Sequence, residues 1–327
     1  MSQPFGNEHL QNAMKIGIYK DTFANARGAD VAVKWLAAGL AERGHDAVAF
    51  EKNALAERLR EQWDVIISAG TNELLDLAAA GYSSAPVVQQ FHTNPRGQFK
   101  WKRFVRNWRI RRALRHVAAI QILQDAFIAQ VAKYGPPVAV IGNSVSPVKP
   151  FVPEATRKTI IYPAAFAKSK NHKLLLEAFA SLSGDFKDWT LELYGNGTAP
   201  AVLPPCTKVF SRCDLKEAYS RCAFLAFPSL DEGFGLVVAE AATFGKPAVM
   251  VHDWIGTAAA EGGLVTAPTV SAYADGLRRL MSSPDLCRHM GENARRFCLE
   301  RYSREKILDK WEMLLESVAQ RNAVLIK

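Results

Sequence analysis

The sequence predicts an α/β protein of two domains, each built on a parallel β-sheet with helices on both faces. The chain has 327 residues, about twice the length of an ordinary domain of roughly 150 residues. Short apolar segments alternate with segments of helical periodicity, a pattern typical of parallel sheets with crossover helices. Residues 146–159 contain three prolines and interrupt this alternation, so they are predicted to be an interdomain linker.

Each half contributes its own series of strands and helices. The strands predicted before the linker are 15–19, 47–50, 65–68, 87–90, 117–122 and 138–141, with helices that include 30–42 and 74–80. The strands predicted after it are 160–162, 190–194, a short one at Val209, 223–227 and 248–251, with helices at 173–182, 215–221 and 236–244. The last sixty residues are predicted to be mainly helical.

The composition indicates a globular protein: 49% of residues are hydrophobic and 22% are charged. No apolar run approaches the roughly 18 residues that cross a bilayer, and the polar first thirteen residues do not have the pattern of a signal peptide. The five cysteines show no C-x-x-C spacing, which favours reduced thiols over a zinc site or a disulfide framework. A cytoplasmic location is therefore expected.

The most informative motif occupies residues 227–249, FPSLDEGFGLVVAEAATFGKPAV. A predicted strand ends at Phe227, a loop follows, and a helix is predicted to begin near Gly235. The amide groups at the start of that helix, on Gly235, Leu236 and Val237, would form a site for a diphosphate, because a helix N-terminus attracts anions. Glu232 lies in the loop and Glu240 lies about one and a half turns into the helix.

This E-x7-E spacing after a Pro-Ser strand end resembles the signature of the family-four retaining glycosyltransferases, which have the GT-B fold. The resemblance implies two Rossmann-like domains with parallel sheets facing across a cleft, and a C-terminal helix crossing back to the first domain. It assigns residues 14–147, with 305–327, to the acceptor side and residues 158–304 to the nucleotide-sugar side. It also implies that Glu232 lies near the transferred sugar and that Glu240 holds the nucleotide ribose.

A second block, YPAAFAKSKNHKLLLEAF, resembles the family's phosphate-binding segment. The resemblance implies that Lys170 binds the donor diphosphate and stabilises charge on the leaving group. Many members have an arginine five residues before this lysine, where this chain has Ala165. Lys168 and Arg212 are candidates for the second cation, and a solvated Lys170 is the alternative.

Three further positions carry weaker signals. Gly195, in LYGNG, resembles the family's loop beside the nucleotide base, although a plain glycine turn fits equally. Gly28 follows Arg27 where the family has two glycines, and the resemblance places it near donor or acceptor. His92, directly after a predicted strand, matches a histidine that many members have near the sugar; a structural histidine is the alternative.

The segment from Arg96 to His116 carries the whole charge imbalance of the chain, whose net charge is +9. Nine basic residues and no acidic one lie between Asp76 and Asp125, interleaved with Phe99, Trp101, Phe104 and Trp108. A basic amphipathic helix with tryptophans suits an anionic membrane surface. Two alternatives remain open: a solvated face whose aromatic residues pack inward, and a nucleic-acid site.

Together these features predict a glycosyltransferase that transfers a sugar from a nucleotide-diphospho-sugar to a surface-glycan or lipid-linked acceptor, and the family resemblance implies that the transfer is retaining. Lipopolysaccharide or polysaccharide biosynthesis is the expected setting, and a peripheral position on the inner face of the cytoplasmic membrane is expected from the basic segment. No D-x-D occurs, so no metal or other cofactor is expected to assist the diphosphate. The alternatives are a nucleotide-sugar epimerase of the same fold and a basic nucleic-acid-binding protein; nucleic acid is not the expected partner.

Overall fold

The computed structural model describes residues 13–23, 28–99, 103–148, 158–211 and 215–325. The chain divides into two compact units: residues 1–143 with 307–327, and residues 144–306. Among the described residues, no helix combines the length and the apolar character needed to cross a membrane. The described residues do not include residues 1–12, Arg27 or the centre of the expected linker.

The first unit is a parallel sheet whose strands, within the described residues, run in the order β2-β1-β3-β4-β5-β6. The strands are β1 (Lys15–Tyr19), β2 (Asp46–Phe50), β3 (Val65–Ser68), β4 (Val87–Gln90), β5 (Ala119–Ile122) and β6 (Val138–Val140). The helices are α1 (Gly28–Glu42), α2 (Leu55–Arg58), α3 (Thr71–Ala79), α4 (Pro95–Gln98), α5 (Phe104–Leu114) and α6 (Ile128–Val131). Strands β1, β3 and β5 are almost wholly apolar and buried, as a sheet covered on both faces requires.

The last helix of the chain completes this first unit from Ile307 onward. Its side chain Leu308 packs against Gly39 of α1, where even one added carbon atom would collide with the leucine. Arg43 at the end of α1 donates to Asp309 at 2.9 Å and to Glu312 at 2.5 Å. The contact between these helices therefore combines apolar packing with ion pairs at its edge.

The second unit is also a parallel sheet, ordered β12-β11-β10-β7-β8-β9 within the described residues. Its strands are β7 (Thr159–Pro163), β8 (Thr190–Tyr194), β9 (Thr207–Phe210), β10 (Phe224–Phe227), β11 (Ala248–Met250) and β12 (Gly263–Val265). The remaining helices are α7 (His172–Leu182), α8 (Lys216–Arg221), α9 (Leu236–Thr243), α10 (Val270–Ser282), α11 (Pro284–Tyr302) and α12 (Arg304–Leu325). The two sheets flanked by helices confirm the predicted α/β fold with two Rossmann-like units.

The strands and helices predicted with bounds match the observed ones to within about three residues at their ends, and one strand was missed. The basic segment Arg96–His116, expected to be a helix, instead contains most of the short α4 and the separate helix α5. The missed strand is β12, a three-residue edge strand in which Gly263 allows a close approach to Ala248 and Met250 of β11. The predicted helix start near Gly235 is also corrected slightly. Gly235 has φ 87° and caps α9, whose first helical residue is Leu236.

Candidate functional site

The order of the strands locates a crevice in the second unit. From β7 the chain builds outward through β8 and β9, and it then returns to add β10, β11 and β12 on the other side. Adjacent loops after β7 and β10 therefore diverge in opposite directions at the carboxyl ends of the strands. Open parallel sheets bind ligands at this topological switch point.

The loops at the switch point are joined by an ion pair. Lys170, in the loop after β7, donates from Nζ to Oε1 of Glu232, in the loop after β10, at 2.6 Å. The side chains are 23% and 16% exposed, so both can reach a ligand. The amide of Leu230 also donates to the carbonyl of Ser169 at 2.8 Å. The structure therefore brings together two residues that lie 62 positions apart in the sequence.

The conformation of the chain explains two residue types in these loops. Asn171 lies between Lys170 and α7 with φ 52° and ψ 40°, a left-handed conformation that asparagine tolerates better than most residues. Gly195 directly follows the adjacent strand β8, and a Cβ atom there would overlap the carbonyl oxygen of Ala164. The loop predicted to lie beside the nucleotide base therefore runs directly against the loop after β7.

Helix α9 begins at the same edge of the sheet. Gly235 adopts φ 87°, and a Cβ atom on it would lie 3.2 Å from Cβ of Trp254. Both facts favour glycine at this position. The first amides of a helix have no acceptor within it, so those of Leu236 and Val237 are suited to an anion.

Glu240 is held by a tyrosine that sequence reasoning missed. The hydroxyl of Tyr219, on α8, donates to Oε2 of Glu240 at 3.0 Å. Tyr219 is buried, and burial together with the charge of Glu240 raises its pKa well above the usual value, so the hydroxyl remains a donor. Glu240 is partly exposed, which leaves its carboxylate accessible to a ligand.

A second network lies behind the loop after β8. Arg221 forms two hydrogen bonds to Glu192, at 3.0 and 2.6 Å, and Tyr194 donates to the same carboxylate at 2.6 Å. Glu192 is 4% exposed. Burial raises its pKa, but the hydrogen bonds and charge of Arg221 and Tyr194 outweigh burial, so the net pKa is lowered. This network fixes the end of β8 just before Gly195.

The arginine that many family members have is absent, and no neighbouring histidine replaces it. Ala165 is exposed, as is Lys168, while Arg212 lies outside the described residues. His172 is enclosed between the rings of Tyr162 and Phe166, at 4.8 and 4.9 Å. Burial, with the charge of Lys170, lowers the pKa of His172 to about 4, so the imidazole is neutral at pH 7.

The first unit has its own switch point, between β1 and β3. Lys20, which directly follows β1, forms an ion pair with Glu73 of α3 at 2.6 Å. His92 follows β4 and is half-buried, and its enclosed Nε2 atom has no hydrogen-bond partner among the described residues. Burial and then the charge of Lys20 lower the pKa of His92 to about 4. His92 is therefore a neutral hydrogen-bonding group at pH 7.

Gly28 and the basic segment Arg96–His116 are the remaining features that the sequence analysis singled out. Gly28 begins α1, is exposed, and has open space where a Cβ atom would stand. In the basic segment, Phe104, Val105 and Trp108 of α5 are 78%, 70% and 54% exposed. The buried face of α5 consists of Asn107, Ile110 and Leu114. The alternative in which the aromatic residues pack inward is therefore wrong for Phe104 and Trp108. Residues 100–102 of the basic segment lie outside the described residues.

Comparison with known protein families finds a match in the second unit, which contains the Lys170–Glu232 pair. Residues 148–297 match the family described as "Glycosyl transferases group 1". Residues 148–297 therefore form a domain similar to the group 1 glycosyltransferases. This match confirms the resemblance to glycosyltransferases at the level of group 1, and the matched residues coincide with the second unit.

Individual proteins extend this comparison. An exopolysaccharide phosphotransferase of Streptomyces coelicolor is 29% identical over 209 residues, 58% of this chain and 22% of that protein. An uncharacterised glycosyltransferase of Haemophilus influenzae is 27% identical over 173 residues, 48% of this chain and 49% of that protein. The chain thus spans about a fifth and about half of the length of these two relatives. Anabaena HepE, solved with UDP and glucose, superposes with a TM-score of 0.73 at 17% identity, over 93% of this chain and 100% of HepE, and confirms the GT-B fold.

Proposed function

We propose that the protein is a retaining glycosyltransferase that moves a sugar from a nucleotide-diphospho-sugar to a surface-glycan or lipid-linked acceptor. Lipopolysaccharide or polysaccharide biosynthesis is the proposed setting. The observation that carries the proposal is the Lys170–Glu232 pair at the switch point of the glycosyltransferase domain. The UDP bound to HepE and the exopolysaccharide role named for the Streptomyces relative support this choice of donor and product class.

In this proposal each loop at the switch point binds one part of the donor. The diphosphate lies at Lys170 and at the amides of Gly235, Leu236 and Val237. The carboxylate of Glu240 accepts hydrogen bonds from the ribose hydroxyls, and Tyr219 holds that carboxylate in place. The loop at Gly195 lies beside the base.

Catalysis follows from charge stabilisation. When the bond between sugar and diphosphate breaks, negative charge grows on the departing nucleotide, and Lys170 and the helix amides stabilise it. We propose that no metal ion is required. The acceptor attacks from the side of the leaving group, a donor phosphate oxygen takes its proton, and Glu232 stabilises positive charge developing on the sugar. His92, being neutral, would donate or accept a hydrogen bond; Gly28 would allow a close approach of substrate.

The acceptor side of the proposal depends on α5. Its exposed Phe104, Val105 and Trp108 are interspersed with arginines, a composition suited to an anionic membrane surface. Each basic residue near such a surface contributes about 1 kcal/mol to binding. We therefore propose that the protein works peripherally at the cytoplasmic face of a membrane, where lipid-linked acceptors are found.

A thermal-shift panel of nucleotide-sugars tests the donor assignment. We expect stabilisation by at least one nucleotide-sugar and a much smaller shift in Glu240→Ala. Equal stabilisation of wild type and Glu240→Ala would contradict the ribose contact. Interconversion of a free nucleotide-sugar without acceptor would favour an epimerase, and stabilisation by RNA alone would favour a nucleic-acid-binding protein.

A further inference from the structure

A groove in the first unit lies between α3 and α5. Its volume is about 490 Å³, within the range of roughly 300–1,000 Å³ that ligand pockets occupy. Leu74, Leu77 and Val117, which line it, are almost fully buried. Tyr82 also lines the groove, and its buried hydroxyl has no hydrogen-bond partner in the part of the chain that the structure describes. The part of the groove formed by these leucines and Val117 is therefore apolar, with the Tyr82 hydroxyl beside it.

The lining of this groove also includes cations and a tryptophan. Arg109, Arg112 and His116 line it together with Trp108, and all four are exposed. The guanidinium of Arg112 lies 5.6 Å from the centre of the Trp108 ring. Neither Arg109 nor Arg112 forms an ion pair within the part of the chain that the structure describes.

Nearby carboxylates do not neutralise these arginines. Glu73 and Asp76 are the acidic residues of α3. Glu73 pairs with Lys20 at 2.6 Å, and Asp76 pairs with Lys52 at 2.9 Å. An apolar groove beside positive charge is complementary to an anionic amphiphile.

We propose that this groove binds one acyl chain of an anionic membrane phospholipid, with the lipid phosphate at Arg109 and Arg112. The chain would lie over Leu74 and Leu77, and removal of its own apolar surface from water gives the main free energy of binding. The phosphate would form charge-assisted hydrogen bonds with the guanidinium groups. The exposed Trp108 would lie at the level of the headgroups, where tryptophan is enriched.

This inference deepens the proposed membrane association and rests on that part of the proposed function. It names a site for a single lipid instead of a general attraction between a basic surface and a bilayer. Its test needs neither sugar donor nor acceptor. Failure of lipid binding would therefore leave the transferase assignment intact, and failure of sugar transfer would leave the groove assignment intact.

The experiment is isothermal titration of the whole protein with dihexanoyl phosphatidylglycerol below its critical micelle concentration. Two control ligands are used: glycerol 1-phosphate lacks the acyl chains, and dihexanoyl phosphatidylcholine lacks the net charge. Ala78→Phe fills the groove, because Ala78 lines it and is exposed. Ala80→Phe is the matched control: Ala80 is exposed at the end of the same helix but does not line the groove.

We expect saturable one-to-one binding of phosphatidylglycerol. Ala78→Phe should weaken it by about tenfold or more, the effect of two methylenes excluded from the groove. Ala80→Phe should bind like the wild type, whereas Arg109→Gln combined with Arg112→Gln should remove the preference over phosphatidylcholine. Equal binding by Ala78→Phe and the wild type, or equal binding of glycerol 1-phosphate, would overturn the proposal. Tighter binding of farnesyl phosphate than of phosphatidylglycerol would overturn the choice of phospholipid.

Discussion

Replacement of Tyr219 by phenylalanine isolates one hydrogen bond at the candidate donor site. The hydroxyl donates to Glu240 at 3.0 Å, while the ring packs against Phe244 with ring centres 5.5 Å apart. Phenylalanine keeps the packing and removes only the hydrogen bond. Since Tyr219 does not belong to the expected substrate contacts, any effect on donor binding must act through the position of Glu240.

The size of the effect follows from the charge of the acceptor. Hydrogen bonds to charged groups contribute about 1.5–3 kcal/mol. Because Glu240 is partly exposed, water replaces part of the lost bond, and we expect the lower end, about 1.5 kcal/mol. This free energy corresponds to about a tenfold weaker affinity for the nucleotide if the carboxylate is no longer held in place.

The assay is isothermal titration with uridine diphosphate or whichever nucleotide stabilises the wild type most. Tyr273→Phe is the matched control, because this buried tyrosine donates instead to the carbonyl of Val249 at 2.9 Å. Both substitutions should lower the melting temperature, but only Tyr219→Phe should weaken nucleotide binding. Unchanged affinity in Tyr219→Phe, or an equal loss in Tyr273→Phe, would refute the reasoning.

Three further predictions concern the glycosyltransferase domain. Gly195→Ala should destabilise it by about 1–3 kcal/mol and weaken nucleotide binding, because the added carbon overlaps a carbonyl oxygen of the adjacent loop. Gly184 has open space where a Cβ atom would stand, so Gly184→Ala should change neither the melting temperature nor the nucleotide affinity. Arg221→Met should lower the free energy of unfolding, measured in urea, by about 3 kcal/mol, because Glu192 stays buried without its counter-charge. Adding Glu192→Gln to Arg221→Met should recover part of this loss. Burial lowers the pKa of His172 from 6.5 to about 4, so the unfolded chain binds a proton in this window that the folded chain does not, and the free energy of unfolding falls as the pH falls. His172→Gln should reduce that slope by up to one proton in unfolding curves between pH 6.5 and 4, and an unchanged slope would contradict the assignment.

Much of the fold could be predicted because its signals are local. Buried parallel strands such as β3 and β7 are short, almost continuous apolar runs, and helices such as α10 follow the 3.6-residue period. Strand β12 could not be recognised in this way. It has three residues, one of them glycine, and it forms only because β11 offers an unpaired edge.

The residues of the site could be predicted where the local backbone or the end of a strand requires a particular residue type. Gly235 caps a helix with a positive φ angle, and Glu232 and Lys170 lie in loops at the carboxyl ends of adjacent strands. The supporting residues were not predictable. Tyr219 and Arg221 lie on α8 and contact Glu240 and Glu192 only after the sheet forms, so no spacing in the sequence connects these residues.

The neutral state of two histidines also could not be read from the sequence. Nothing in the sequence around His92 and His172 sets them apart, and it is burial, with the charges of Lys20 and Lys170 respectively, that lowers each pKa to about 4. This enclosure removes His172 as a substitute for the arginine missing at Ala165. In the proposed diphosphate site Lys170 is the first cation, and Lys168 and Arg212 remain the candidates for the second.

The most direct test of the proposed donor site is titration of the nucleotide into Lys170→Met and Lys168→Met. The two lysines belong to one turn, Lys168–Lys170, but only Lys170 pairs with Glu232, whereas Lys168 is exposed. Loss of a charge-assisted contact predicts about a tenfold to hundredfold weaker affinity in Lys170→Met. Lys168→Met should bind like the wild type. If folded Lys170→Met binds the nucleotide as tightly as the wild type, the diphosphate does not lie at the switch point of the second unit.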